Sequence, residues 1–480
     1  MKLCRPMTPL AGAALFCTVA CSTLTPATAE TLNYGRFGDI AVLRPEGKPR
    51  SVTIVVSGSG GPMQAEAEIG RLLNAQGSLV LSVDGERLLH NIRPKPDETC
   101  ADAGWDFEAM SQYVQKELGL GDYRRPLLVG VGLGASLVFL GLAESTPNTF
   151  LGGMALGFDP DWRSPWRLCE GDQGEVGKPA ADGRGWQLAP SDEYLLRWTV
   201  LQGAADPYVA GAKVAQFVEG VPNAELVTVP GVGHGFAEPA RWRDSFVDAW
   251  KRLNNDPYQD RELTELPLIE LPVAQPSGDW LAVILSGDGG WAAIDRELGE
   301  TFQHEGIPVV GFDMLRYLWK ARSPEETANA VASAIERYTQ RWQRRRVLLV
   351  GYSLGGDVLP FVVNRLPPQT RQKLALSAVL APSKYVEFEF HPWDWISDDD
   401  DARNPRALPL DPELAAVRSR LLCVYGSDEK ADSACPPLAG RNAQVEILAL
   451  PGAHHFDGDY TALAKRLLDA AQAPAASNGK

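Results

Sequence analysis

Cysteine and histidine are scarce in this 480-residue chain, with seven of one and six of the other. No C-x-x-C pair occurs and the histidines lack ligand spacing, so neither a structural zinc site nor another metal centre is expected. Basic charge is also in deficit. Lys and Arg total 46 against 61 Asp and Glu, and the formal net charge of −15 argues against nucleic acid and against simple docking on anionic lipid. A cationic substrate stays compatible with it. Long apolar runs are missing too: Leu10 to Ala20 is too short to span a bilayer, and no other segment is apolar enough to do so. What is present, 45% hydrophobic and 22% charged residues, is ordinary for globular protein, and the length allows two or three domains.

The first residues read as a secretory signal. Lys2 and Arg5 precede the apolar stretch, and Ala27-Thr28-Ala29 is an A-x-A cleavage site. Cys21 is the alternative, as a lipoprotein site. Cleavage after Ala29 leaves Cys100, Cys169, Cys423 and Cys435, one pair in each half of the chain. In an oxidising compartment this predicts Cys100–Cys169 and Cys423–Cys435 bridges.

The chain also contains one segment twice. Arg124-Arg125-Pro126-Leu127-Leu128-Val129-Gly130-Val131-Gly132-Leu133-Gly134 returns as Arg345-Arg346-Val347-Leu348-Leu349-Val350-Gly351-Tyr352-Ser353-Leu354-Gly355. Gly132 to Ser353 and His234 to His455 are the same interval, 221 residues (353 − 132 and 455 − 234). Upstream, Ile54 to Gly61 matches Val283 to Gly290. The period is that of a duplicated domain rather than a solenoid repeat. Each copy alternates apolar runs with amphipathic stretches, so the expected fold is α/β with mostly parallel sheets, and the G-x-S-x-G elbow at Gly351-Tyr352-Ser353-Leu354-Gly355 makes it two tandem α/β-hydrolase-like domains. The boundary is placed near residue 265, within a Pro-rich, acidic connection from Asn254 to Asp279. Two long loops, Asp159 to Ser191 and Tyr385 to Pro412, interrupt the halves.

The second copy reads G-x-S-x-G after a Val-Leu-Leu-Val strand and before a helical stretch from Asp357, the setting of a nucleophile elbow. Gly132 replaces the serine in the first copy, which is therefore expected to be catalytically degenerate. Ser353 needs a base to take its proton and donors to receive the oxyanion. His455 is the preferred base because the repeat aligns it with His234; His454 is the alternative. The acid that orients the base is sought in Tyr425 to Asp432, with Asp432 first, then Glu429, which aligns with Asp206, then Asp428. Oxyanion donors are expected from the Leu354 N–H and from the turn Ser286 to Trp291, at Asp288 or Gly289. Asp288, Trp291 and Tyr352 are the candidate substrate contacts. Further on, His391-Pro392-Trp393-Asp394-Trp395 leads into Asp398-Asp399-Asp400-Asp401. These tryptophans suit lipid and these carboxylates an ammonium group, while a solvated acidic loop over packed Trp fits equally. No cofactor is implied.

Leu285 to Trp291, Met314 to Trp319 with Ser323-Pro324-Glu325, and Gly351 to Pro360 together resemble the VirJ/AcvB family of bacterial virulence proteins. The resemblance covers about 275 to 475, and the two-half layout is similar to the AcvB-like form. It implies a periplasmic serine hydrolase of aminoacyl-phosphatidylglycerol, acting on the lysyl or alanyl ester at the membrane surface. Two other readings stay open: a general periplasmic carboxylesterase, and a non-catalytic accessory binding protein for type IV secretion or another periplasmic partner.

Overall fold

The computed structural model describes residues 30–60, 64–94, 99–171, 173–255, 266–392 and 405–473. The signal segment, the boundary near residue 265, and Trp393 to Asp401 of the acidic loop lie outside the described residues.

Each half builds one sheet of strands, apolar and buried on both faces at its centre, as a parallel sheet covered by helices requires, and partly exposed at its edges. In the first half these are β1 (Glu30–Tyr34), β2 (Gly38–Leu43), β3 (Ser51–Val56), β4 (Ser78–Val83), β5 (Leu127–Val131), β6 (Gly152–Leu156), β7 (Trp198–Gly203) and β8 (Ala224–Val229). Their order in the sheet is β1-β2-β4-β3-β5-β6-β7-β8. The second half contributes β9 (Leu268–Leu271), β10 (Trp280–Leu285), β11 (Val309–Phe312), β12 (Arg346–Tyr352), β13 (Leu374–Leu380), β14 (Leu421–Gly426) and β15 (Val445–Leu450), ordered β9-β11-β10-β12-β13-β14-β15. From β2 and from β9 onward the two orders correspond strand for strand. The first sheet begins with two antiparallel pairings, β1 on β2 and β2 on β4, and the second with one, β9 on β11; both continue parallel. The fold is that of two tandem α/β-hydrolase-like domains. Strand β9 falls within the stretch expected to be connection. It is a four-residue edge strand, too short to show alternation.

The duplication reaches individual hydrogen bonds. Ser57 Oγ accepts from Gly85 N (3.1 Å) as Ser286 Oγ accepts from Met314 N (2.9 Å). Asp84 caps its helix at Arg87 N, and Asp313 does the same at Arg316 N. Glu66 holds Gly58 N at 3.1 Å, and Asp295 holds Gly287 N at 3.2 Å.

Four helices matter for the site: α1 (Gly104–Glu117), α2 (Leu133–Glu144), α3 (Pro324–Arg341) and α4 (Leu354–Arg365). The Ser323-Pro324-Glu325-Glu326 start of α3 forms a full capping box, Ser323 and Glu326 each bonding the other's backbone N–H. The long loop from Asp159 folds into short strands, Arg163–Ser164, Gly177–Pro179 and Trp186–Leu188, and the Cys100–Cys169 bridge ties it down. Cys423 bonds Cys435 in the second half. Both bridges fit an oxidising compartment. Among the described residues no helix is long and apolar enough to cross a membrane.

The halves join through a polar pair and an aromatic cluster. The Arg316 guanidinium forms a fork on Asp122, with contacts of 2.9 and 3.3 Å, and both side chains are nearly buried. Trp319 Nε1 donates to Leu120 O (2.7 Å), and Lys116 Nζ donates to Trp319 O (2.6 Å). Tyr123, Leu315, Trp319 and Phe390 pack into one small core across the junction. The segment Met314 to Trp319 therefore serves the contact between halves.

Candidate active site

Strand β12 runs into Ser353, whose backbone is held at φ 49°, ψ −119° before α4 begins. A side chain rarely adopts this left-handed conformation, and the surroundings enforce it. Ser353 N donates to Leu380 O (3.0 Å) on the neighbouring strand, and Gly355 presses so closely on β10 that a Cβ there would lie 2.1 Å from Leu285 O. The turn lifts the hydroxyl off the sheet and places Leu354 N–H at the head of α4.

Ser353 Oγ lies 3.0 Å from His454 Nε2, and His454 Nδ1 lies 3.2 Å from Glu429 Oε2. The carboxylate fixes the proton on Nδ1, leaving Nε2 to accept from the serine. His455, the expected base, points elsewhere: its Nδ1 meets Tyr352 Oη (3.2 Å) and Tyr460 Oη (3.4 Å). The reason is a one-residue deletion. Phe236 and Phe456 share the same unusual backbone, φ 49° and 50°, and their N–H groups bond Gly233 O and Ala453 O. Counting back two residues from each phenylalanine pairs His234 with His454, not with His455.

Asp432, the first choice for the acid, is an exposed loop residue. Asp428 is exposed as well and accepts from Ser427 Oγ. Glu429 occupies the place next to the histidine because it stands three residues beyond Gly426, the last residue of β14, as Asp206 stands three beyond Gly203 in β7.

The turn after β10 packs directly on the nucleophile, with a Cβ at Gly287 lying 3.6 Å from Ser353 Cβ. Asp288 and Gly289 border the same cleft of about 430 Å³ as Ser353, His454, His455 and Tyr352. Burial raises the Asp288 carboxyl above its ordinary value, against the pull of His454, the backbone N–H groups of Asp288 and Gly289, and His455. Burial also raises Asp295, which braces the turn, well above the carboxylate range. Trp291 is not in this cleft. Its ring lies against Gly311 and Gly299, where any Cβ would meet it within 2.4 and 3.0 Å.

No sequence pattern anticipated the other wall. Trp105, Glu108 and Thr146, all from the first half, close the cleft over Ser353. Trp105 remains half exposed at 51%. They lie more than 200 residues from the nucleophile, and only the packing of one domain on the other brings them there. Among the described residues no group of acidic, His or Cys side chains has the arrangement of a metal site.

Residues 279–475 match the family model described as bacterial virulence protein (VirJ). No curated protein matches the chain. Solved structures similar to it include Est1E from Butyrivibrio proteoclasticus, at 17% identity over 47% of this chain and 98% of that one, with a TM-score of 0.33. An α/β serine hydrolase without a lid from Xanthomonas campestris is 20% identical over 48% of this chain and 96% of its own, TM-score 0.31. A dienelactone hydrolase from Anabaena variabilis is 16% identical, covering 47% and 94%, TM-score 0.33.

Proposed function

We propose, from the premise that residues 279–475 belong to the VirJ family, that this chain is a periplasmic serine esterase removing the aminoacyl group from lysyl- or alanyl-phosphatidylglycerol. The observation that carries the reading is a Ser–His–Glu relay at the base of a cleft whose walls bear carboxylates. Asp288 comes from the turn beside Ser353 and Glu108 from helix α1 of the first half. A neutral ester has no use for them, whereas the free ammonium of an aminoacyl ester does.

Ser353 Oγ attacks the ester carbonyl and gives its proton to His454 Nε2. The charge developing on the carbonyl oxygen is received by Leu354 N–H and by the turn at Asp288 and Gly289. His454 then returns the proton to the departing glycerol oxygen, and phosphatidylglycerol leaves. A water activated by the same imidazole attacks the acyl-enzyme and releases the amino acid. Glu429 orients the ring and stabilises its charged form.

The test is release of free amino acid from lysyl- and alanyl-phosphatidylglycerol by the purified chain, with Ser353→Ala and Glu108→Gln beside it. Release is expected to vanish with Ser353→Ala. Glu108→Gln is expected to raise KM for the aminoacyl lipids and leave a neutral acyl ester unchanged. Equal effects of Glu108→Gln on both esters, or cleavage of the neutral ester alone, replace this reading with a general carboxylesterase. No cleavage of any ester leaves the accessory binding role.

A further inference from the structure

The first half keeps almost everything its partner uses except the nucleophile. Gly132 holds φ 52°, ψ −116°, the conformation of Ser353 within a few degrees, and Leu133 N–H opens helix α2 behind it. His234 Nδ1 bonds Asp206 Oδ2 at 2.8 Å, leaving Nε2 as the ring's other polar atom. Burial works against the charge on Asp206, but hydrogen bonds from His234, Tyr208 N and Val209 N outweigh it and hold the carboxyl below its ordinary value. Gly132, Leu133 and His234 border a cavity of about 760 Å³ formed by the first half alone.

Two features of that cavity point to an occupant. A Cβ built on Gly132 meets nothing nearer than Gly58 Cα at 4.0 Å, so the position of the missing hydroxymethyl is open. Ser136, one of the residues lining the cavity, is fully buried, and its Oγ has no hydrogen-bond partner among the described residues. A buried hydroxyl without a partner is costly. In the second half one oxygen position is filled by Ser353 Oγ beside His454 Nε2. In the first half the equivalent position is empty, and a free carboxylate has the oxygen to fill it.

We propose that the first-half cavity binds a small monocarboxylate with an apolar or aromatic body. One carboxylate oxygen takes the Leu133 N–H, and the other takes the space beside Gly132, where Nε2 of His234 donates to it in the imidazolium form that the Asp206 carboxylate stabilises. Trp162 and Trp166 supply the apolar wall, with the Arg93 guanidinium 5.7 Å from the Trp166 ring centre adding positive charge. Glu86 and Asp159 also border the cavity, which favours a single negative charge over two. This site is separate from Ser353 and does not depend on the esterase reading.

Calorimetric titration of the full chain with phenylpropionate tests it, with phenylpropionamide as the uncharged control. Saturable binding is expected, at least about tenfold tighter for the acid than for the amide. His234→Ala and Gly132→Ser are each expected to weaken it by at least about tenfold, and His454→Ala to leave it unchanged. Gly132→Ser decides the matter if His234→Ala does not fold, because Ser353 shows that serine tolerates this backbone. Absence of saturable binding, equal affinity for the amide, an unaffected Gly132→Ser variant, or binding that follows His454 overturns the proposal.

Discussion

Gly132 and Ser353 stand on nearly identical backbones and differ by one hydroxymethyl group. Both elbows are locked by the same contacts. Gly132 N bonds Leu156 O at 2.8 Å as Ser353 N bonds Leu380 O at 3.0 Å, and Gly134 presses on Val56 O as Gly355 presses on Leu285 O. The strained turn is thus a product of helix-on-sheet packing and survives the loss of its chemistry. The difference between the halves lies in what surrounds the elbow. The first-half cavity is bordered by its own domain, while the Ser353 cleft is completed by Trp105, Glu108 and Thr146 from the other.

The sharpest way to break the comparison is at the nucleophile and its relay. Ser353→Ala and His454→Ala are each expected to lower kcat by about 10⁴-fold or more. His455→Ala is expected to stay within about tenfold, because that ring bonds tyrosines and not the serine. Glu429→Gln is expected to cost about 10²- to 10⁴-fold and Asp432→Asn nothing measurable. Steady-state kinetics on one ester substrate would decide between the two histidines. Activity that survives His454→Ala and dies with His455→Ala would restore the assignment made by simple repeat counting.

The next effect tests whether the halves act as one body. Removing Arg316 leaves Asp122 nearly buried without its partner, which is expected to cost about 3–5 kcal/mol. Arg316→Ala should lower Tm and also kcat/KM, since Glu108 and Trp105 belong to the same domain as Asp122. Loss of Tm with unchanged kinetics would show that the cleft does not depend on this contact. The bridges give a smaller contrast. Cys100–Cys169 closes a sequence separation of 69 residues and Cys423–Cys435 one of 12. Replacing each pair by serine should cost about 4 and about 3 kcal/mol respectively in chemical denaturation.

Much of this architecture was legible in the sequence, for local reasons. Val-Leu-Leu-Val followed by G-x-S-x-G specifies a buried strand, a sharp turn and a helix within one short stretch, and β12, Ser353 and α4 follow it. The base was misplaced by one residue because a deletion hides in Leu450 to Phe456. The phenylalanine two residues beyond each histidine was the available signal. The acid had a comparable marker in the glycine that closes β14. Trp105, Glu108 and Thr146 had none, because contacts between two packed domains leave no period or motif in the chain. Strand β9 was missed because four edge residues carry too little alternation.

The smallest predicted effect concerns the carboxylates that brace the two turns, Glu66 at Gly58 and Asp295 at Gly287. Burial raises the folded Asp295 carboxyl well above its ordinary value, so the folded state binds a proton that the unfolded chain releases near pH 4. Its contribution to stability is therefore full below the unfolded pKa and is lost as pH rises through the folded one. Asp313 and Asp357, raised by burial in the same direction, add to that slope. Asp295→Asn removes one of these titrations while keeping an oxygen that can accept from Gly287 N. The fall in Tm between about pH 4 and neutrality should become shallower in the variant without vanishing. An unchanged slope would mean that Asp295 is already ionised in the folded protein, and that the turn beside Ser353 carries one more negative charge than its burial implies.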